Sequence, residues 1–151
     1  MKINNIYDKH ITIKNITDTW LIVKKTCKNK RAVMRFQMNE KTNIMHIYKI
    51  LKSNNYKPGR FILFMIFQPK PRLVMSQNIT DKIINHFVAN YYLIPYLSNK
   101  LIEMNIATRK NKGTSYGLKY IEDSLNALNQ EKKDIYCLKI DIKNFLIERS
   151  N

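Results

Sequence analysis

The sequence predicts an α+β domain, and three observations support that prediction. Apolar residues recur in several stretches with the period of an amphipathic helix, which buries one face. The apolar run Phe61 to Phe67 is followed by a Pro-rich reversal and a second short apolar run, which is typical of a β-hairpin. A further β-rich run extends from Ile135 to Phe145. We therefore expect several helices around a hairpin and one additional strand.

The first third of the chain predicts two helices behind an irregular start. Residues 1–16 show no period, so we expect a loose arm. Asp18 suits the N-cap of a helix that begins near Thr19. A second helix is expected over 41–53, ahead of the turn that contains Pro58 and Gly59. The apolar face of the first helix would carry Trp20, Val23, Cys27, Met34 and Met38, and that of the second Ile44, Ile47, Tyr48 and Leu51.

A basic stripe accompanies the first helix and consists of Lys24, Lys28, Arg31 and Arg35. Cations at helical spacing suit phosphate contacts at the rim of a groove. A solvated helix face explains the same pattern. The stretch Lys28-Asn-Lys-Arg also fits a loop between two shorter helices.

The hairpin tip carries two cations, Lys70 and Arg72. Two such side chains can reach the same anion, although an ordinary exposed loop is the alternative. A largely buried helix is expected to open at Thr80-Asp81, and its lone His86 is interpreted as structural. Pro95 should interrupt this helix, and a shorter helical piece should follow over residues 98–104.

A basic segment, Ala107-Thr-Arg-Lys-Asn-Lys-Gly-Thr, precedes the last expected helix, which spans residues 115–129. Backbone N–H groups at a helix start, with cations beside them, suit a phosphate group. A solvated basic loop fits equally well. The expected inward face of the helix carries Leu118, Ile121, Leu125 and Leu128.

Asp141 is the carboxylate of the last β-rich run. Alternation along a strand places Tyr136, Leu138, Ile140 and Ile142 on one face and Asp141 on the other. An acid on an otherwise apolar strand needs a metal, a base or water beside it. The simpler interpretation is a strand-end residue that caps the next turn.

The formal net charge of +16 favours a polyanionic partner, of which nucleic acid is the commonest. Part of the lysine excess can also reflect an AT-rich genome, because Lys, Asn and Ile have AT-rich codons. No apolar run is long enough to span a bilayer, and the start lacks a signal-peptide pattern. Cys27 and Cys137 are isolated, which argues against a disulfide framework or a zinc site. We therefore expect a cytoplasmic protein without a membrane segment.

Four motifs follow one another along the chain: Tyr56-Lys-Pro-Gly with the hairpin and its Pro-Lys-Pro-Arg turn, Asp81-Lys-Ile-Ile-Asn-His, the basic segment from Ala107, and Leu138-Lys-Ile-Asp-Ile-Lys-Asn-Phe. Their order and spacing resemble the N-terminal part of bacterial reverse transcriptases of the retron, diversity-generating and group II intron type. The resemblance covers residues 20–145. It implies a partial right-hand polymerase over 17–151, with fingers, the first palm strand and an incomplete palm.

The resemblance also implies roles for individual residues. Lys70 and Arg72 would hold the triphosphate of the incoming nucleotide. Asp141 would be the first catalytic aspartate and a magnesium ligand, and Ile142 would offer its backbone carbonyl to the same ion. Two Mg²⁺ ions would assist attack of a primer 3′-hydroxyl on the α-phosphate. The residues expected to line the template and nucleotide pocket are Arg109, Lys110 and Gly113.

The sequence departs from the family directly after Phe145. Leu146 stands where the family keeps a second aromatic residue, and the Tyr-x-Asp-Asp motif with the other metal ligands does not occur. A single carboxylate cannot hold two magnesium ions. We therefore expect a truncated or frameshifted fragment of an RNA-directed DNA polymerase that is inactive alone.

The partners expected for such a fragment are an RNA template, a DNA or RNA primer and a dNTP. It should also self-associate through its incomplete palm, since unpaired strand edges attract other chains. The alternative is a non-catalytic basic module that binds RNA without copying it. A basic protein–protein adaptor would show no affinity for nucleic acid at moderate salt.

Overall fold

A computed structural model describes residues 6–107, 109–130 and 134–140, with the side chain of Gln130 left out. The chain divides into two compact units, Met1–Lys100 and Leu101–Asn151. The described parts contain helices and one two-stranded antiparallel hairpin, so the mixed α+β class is confirmed. None of the helices in these parts is long and apolar enough to cross a membrane.

Four helices open the first unit: α1 (Ile6–His10), α2 (Ile13–Thr26), α3 (Lys30–Met38) and α4 (Glu40–Lys52). The side chain of Thr12 caps α2 by accepting a hydrogen bond from the backbone N–H of Asn15, and Asn29 caps α3 in the same way through Ala32. The expected helix over 41–53 is confirmed as α4.

The expected loose arm over residues 1–16 is helical from Ile6 onward, apart from a short link between α1 and α2. Ile11 and Ile16 are buried, which fixes this segment to the core. The hydroxyl of Tyr7 donates to the carbonyl of Leu51 at 2.8 Å, and the hydroxyl of Tyr92 donates to the carbonyl of Tyr7 at 2.6 Å. The expectation of an N-cap at Asp18 is therefore wrong, because α2 already begins at Ile13.

The hairpin consists of β1 (Ile62–Ile66) and β2 (Arg72–Ser76), as the sequence predicted. The register places Leu63 opposite Met75 and Phe64 opposite Val74. Alternation therefore gives two faces. The inner face carries Ile62, Phe64 and Ile66 with Arg72, Val74 and Ser76, and the outer face carries Leu63, Met65, Leu73 and Met75.

A continuous helical path follows the hairpin: α5 (Ile79–Val88), a π-helical turn (Ala89–Leu93), α6 (Ile94–Leu97) and a 3₁₀ turn (Ser98–Lys100). Pro95 does not end this path, since it lies in the first turn of α6, where a missing N–H is tolerated. The expected helix over 98–104 is wrong beyond Lys100, after which the described backbone runs in turns.

The core of the first unit lies between α2, α3, α4 and α5. Trp20 is fully buried and packs on Phe36, with ring centroids 4.4 Å apart. Met34 and Met38, which the sequence placed on the buried face, are exposed. The helix breaks between Thr26 and Lys30, and this break shifts the inward face of α3 to Val33 and Phe36. The alternative of two shorter helices is therefore confirmed.

The second unit contains α7 (Thr114–Gln130), which matches the expected helix over 115–129. Its expected inward residues are exposed. Residues 134–140 form no strand, and Tyr136 is 90% exposed. The prediction of a packed strand is therefore wrong over these residues, because β-propensity needs a partner strand to become a ladder.

Candidate nucleic-acid interface

A groove of about 760 Å³ opens in the first unit. The end of α2, the start of α3, the inner face of the hairpin and the start of α5 form its walls. The volume is in the general range of ligand pockets in proteins. Its lining comprises Thr26, Cys27, Lys28, Asn29, Ala32, Arg35, Phe36, Asn43, Ile62, Phe64, Ser76, Gln77, Asn78, Ile79, Thr80 and Lys82.

One side of the groove is cationic. Lys28 and Arg35 come from the α3 side, and Lys82 comes from the first turns of α5. The Lys82 ammonium lies 3.9 Å from the sulfur of Cys27. The lining contains no Asp or Glu side chain, so these three cations give it a positive formal charge. Such a surface attracts phosphate groups and releases their counterions.

The hairpin side of the groove is apolar. Ile62 and Phe64 lie on the inner face of β1, and both side chains are about half exposed. Aromatic and aliphatic side chains of this kind can stack against nucleobases, and stacking does not depend on base identity. The groove thus pairs a surface suited to phosphates with one suited to bases.

A buried carboxylate fixes the hairpin's approach to α5. Asp81 accepts hydrogen bonds from the Tyr56 hydroxyl at 2.9 Å, the Gly59 N–H at 2.9 Å and the Asn78 amide at 2.8 Å. Asn78 also caps α5, since its side chain accepts from the Asp81 N–H at 2.8 Å. We call these four residues the Asp81 knot. It holds the turn before β1 to the start of the helix that carries Lys82.

Burial, the hydrogen bond to Asp81 and the negative charge of that carboxylate together raise the pKa of Tyr56 to about 12. The tyrosine therefore stays protonated and continues to donate across the whole physiological range. Gly59 is needed for a different reason, because a Cβ at that position would overlap the amide nitrogen of Asn78.

The predicted basic stripe does not form one surface. Lys28 and Arg35 line the groove, whereas Lys24 and Arg31 do not. Cys27 has an extended backbone (ψ 121°), which ends α2 and turns the chain before α3 begins. Lys24 consequently lies in α2, Lys28 in the link, and Arg31 and Arg35 in α3.

The hairpin cations lie outside the groove lining. Lys70 is exposed in the loop between the strands, and Arg72 begins β2 opposite Ile66. Arg72 therefore shares the hairpin face that carries Ile62 and Phe64. Its position is compatible with a ligand that extends from the groove toward the tip.

The cations predicted in the second unit have different surroundings. Nη1 of Arg109 donates to the carbonyls of Ile102 at 3.1 Å and Asn105 at 3.4 Å, so this side chain fastens a backbone turn. Lys110 is exposed, and Gly113 has nothing within 4 Å of a Cβ built on it.

Asp141 and Ile142 lie outside the described residues. Within the parts that are described, no three His, Cys, Asp or Glu side chains come together as a metal site would require.

Two functional features were not predicted from the sequence. Lys82 was assigned no role, although it faces Cys27 across a sequence separation of 55 residues. The Asp81 knot was also missed, although Asn78 three residues before Asp81 is a helix-capping pattern. No protein-family model matches the chain, and neither does any curated protein.

Proposed function

We propose that this chain is a fragment of an RNA-directed DNA polymerase, and that its first unit holds single-stranded RNA in the groove between α3, α5 and the hairpin. The observation that carries the binding proposal is the juxtaposition of Lys28, Arg35 and Lys82 with the apolar wall of Ile62 and Phe64. The polymerase assignment rests on the resemblance of the four motifs.

The two walls give the RNA an orientation. Phosphates would lie along the three cations, where charge-assisted hydrogen bonds are strongest. Bases would turn toward Phe64 and Ile62 and lose contact with water there. The amide nitrogen of Gln77, whose oxygen accepts from Asn85, can donate to sugar or phosphate oxygens.

The residues of this chain bind and orient the strand; they do not by themselves complete a polymerase site. Magnesium would supply charge neutralisation during nucleotide transfer, and Asp141 is the residue that would hold it. The sequence contains no Tyr-x-Asp-Asp motif. We therefore expect RNA binding without primer extension when this chain is assayed alone.

The test is binding of a single-stranded RNA oligonucleotide as a function of salt. The groove variant combines Lys28→Gln, Arg35→Gln and Lys82→Gln. It should weaken binding and make the slope of log K against log salt shallower by about 2, since each phosphate contact contributes about 0.7. The control combines Lys14→Gln, Lys25→Gln and Lys41→Gln and therefore has the same net charge as the groove variant. These three lysines are exposed and lie outside the groove.

The control should keep the slope of the unaltered chain. If both triple variants change the slope equally, binding follows total charge and the groove proposal fails. Phe64→Ala tests the second wall. It should reduce affinity by about 1–3 kcal/mol with the salt slope unchanged, because base stacking is lost and no phosphate contact is removed.

A second candidate function is a non-catalytic RNA-binding module, which the missing Tyr-x-Asp-Asp motif favours. Primer extension on an RNA template with Mg²⁺, with this chain assayed alone and together with a polypeptide that supplies the Tyr-x-Asp-Asp part of the palm, distinguishes the two. Extension that disappears in Asp141→Ala would support the enzyme. Salt-sensitive binding with no extension under any condition would support the module.

A further inference from the structure

Helix α7 carries a narrow apolar stripe made of Leu118, Ile121, Leu125 and Leu128. These four side chains are 45–62% exposed. Their spacing of three, four and three residues is that of the a and d positions in two consecutive heptads. A helix that packs on a globular core usually shows a wider apolar arc, whereas an a/d stripe fits the seam of another helix.

The flanks of the stripe also suit a helix partner. The neighbouring e and g positions hold Ser115, Gly117, Glu122, Ser124 and Asn129, so only one of them is charged. In total, α7 contains Lys119 against Glu122 and Asp123, a net charge of −1. None of the helices α1 to α6 has a negative net charge.

The charge distribution favours a second copy of this chain as the partner. In a protein of net charge +16, most surfaces repel their own copies. The outer face of the hairpin is also apolar, but Lys57, Arg60, Lys70 and Arg72 surround it with no acidic residue between positions 57 and 76. Two α7 helices carry a net charge of only −1 each, so they repel one another less than two copies of the hairpin face with its four surrounding cations.

We infer that two copies of this chain associate by pairing the stripes of their α7 helices. Leu118, Ile121, Leu125 and Leu128 of each copy would pack between the corresponding side chains of the other, which removes their apolar surface from water. This inference does not depend on RNA binding, because no residue of the groove takes part.

Sedimentation equilibrium of the full 151-residue chain tests the inference. The protein is treated with nuclease and kept reduced, because bound RNA or the exposed Cys137 could also link copies. The average mass should rise with concentration toward at least twice the chain mass. Leu125→Glu should keep the chain monomeric, whereas Ala127→Glu, which adds the same charge on an exposed position outside the stripe, should not.

Sedimentation at a high salt concentration distinguishes association through the α7 stripes from association through a bound polyanion. Association through α7 should persist or strengthen in high salt, whereas association through bound RNA should disappear. If Leu125→Glu loses its helical signal, Leu118→Gln, at the most exposed position of the stripe, takes its place. A chain that is monomeric at every concentration, a loss of association in high salt, or equal association in the stripe and control variants would each overturn the inference.

Discussion

Replacing Asp81 by alanine should destabilise the first unit far more than replacing it by asparagine. The carboxylate is only 6% exposed and accepts three hydrogen bonds. Alanine leaves three donors facing a space that offers them no acceptor. Unsatisfied buried donors cost about 1–3 kcal/mol each, and the low end applies to side chains that can turn toward water. A negative charge in the first turn of α5 is also lost, at about 0.5 kcal/mol. The expected loss is about 4 kcal/mol.

Asparagine has the same shape and can keep all three contacts. Its oxygen can take the place of Oδ2 and accept from Gly59 and Asn78. Its amide can take the place of Oδ1 and donate to the Tyr56 hydroxyl, which also accepts hydrogen bonds. Only the charge assistance disappears, so the expected loss is about 1–1.5 kcal/mol.

Urea denaturation followed by tryptophan fluorescence measures both variants. The sequence has one tryptophan, Trp20, which is buried in the first unit, so the signal reports on that unit alone. Asp8→Ala is the matched control. The Asp8 carboxylate is 77% exposed and pairs with Lys52 at 2.9 Å, and exposed pairs contribute at most about 1 kcal/mol.

The reasoning is refuted if the alanine and asparagine variants of Asp81 unfold at the same urea concentration. That result would mean that the donors find other partners and that the carboxylate does not organise the turn. The pKa of Tyr56 gives an independent reading. It should fall in Asp81→Asn, because the carboxylate no longer opposes ionisation of the phenol, and burial should keep it above the usual 10.

Two further predictions concern the glycines Gly59 and Gly113 and the response of the first unit to high pH. Gly59→Ala should destabilise the first unit, because the new Cβ overlaps the amide of Asn78, whereas Gly113→Ala should be neutral or stabilising by about 0.5 kcal/mol in thermal melts. Equal effects of the two alanines would contradict the overlap. The folded-state pKa values of Tyr56 and Tyr92 are raised from 10 to about 12, so their stabilising contribution is complete below pH 10 and is lost as the pH rises toward 12. Urea midpoints that stay constant over this pH interval would exclude that linkage.

Local patterns predicted the elements whose boundaries depend on local chemistry. Helix α4 and the hairpin were correctly predicted because apolar period and Pro-Gly turns are contained within a few residues. The residues of α3 that face the core were not correctly predicted. The link between Thr26 and Lys30 interrupts the helix, so the helical period of α2 does not continue into α3. Met34 and Met38 were therefore placed inside, although Val33 and Phe36 fill that position.

The groove could not be predicted from spacing because its cations come from distant parts of the chain. Lys28 and Arg35 were recognised as part of a local stripe, but Lys82 joins them only through the packing of α5 beside α3. Strand formation is also non-local, which explains why Tyr136 to Ile140 have strand-like residues without a strand. The proposed roles of Lys70, Arg72, Arg109, Lys110 and Gly113 remain predictions from resemblance.

The hydrogen bond from the Tyr92 hydroxyl to the Tyr7 carbonyl joins α1 to the π-helical turn that follows α5. The ring of Tyr7 also stacks on that of Tyr92, with centroids 6.2 Å apart. These two contacts tie α1 to a segment 85 residues later in the chain. Helix α1 is thus a structural part of the first unit, fastened to it both by these contacts and by the burial of Ile11 behind it.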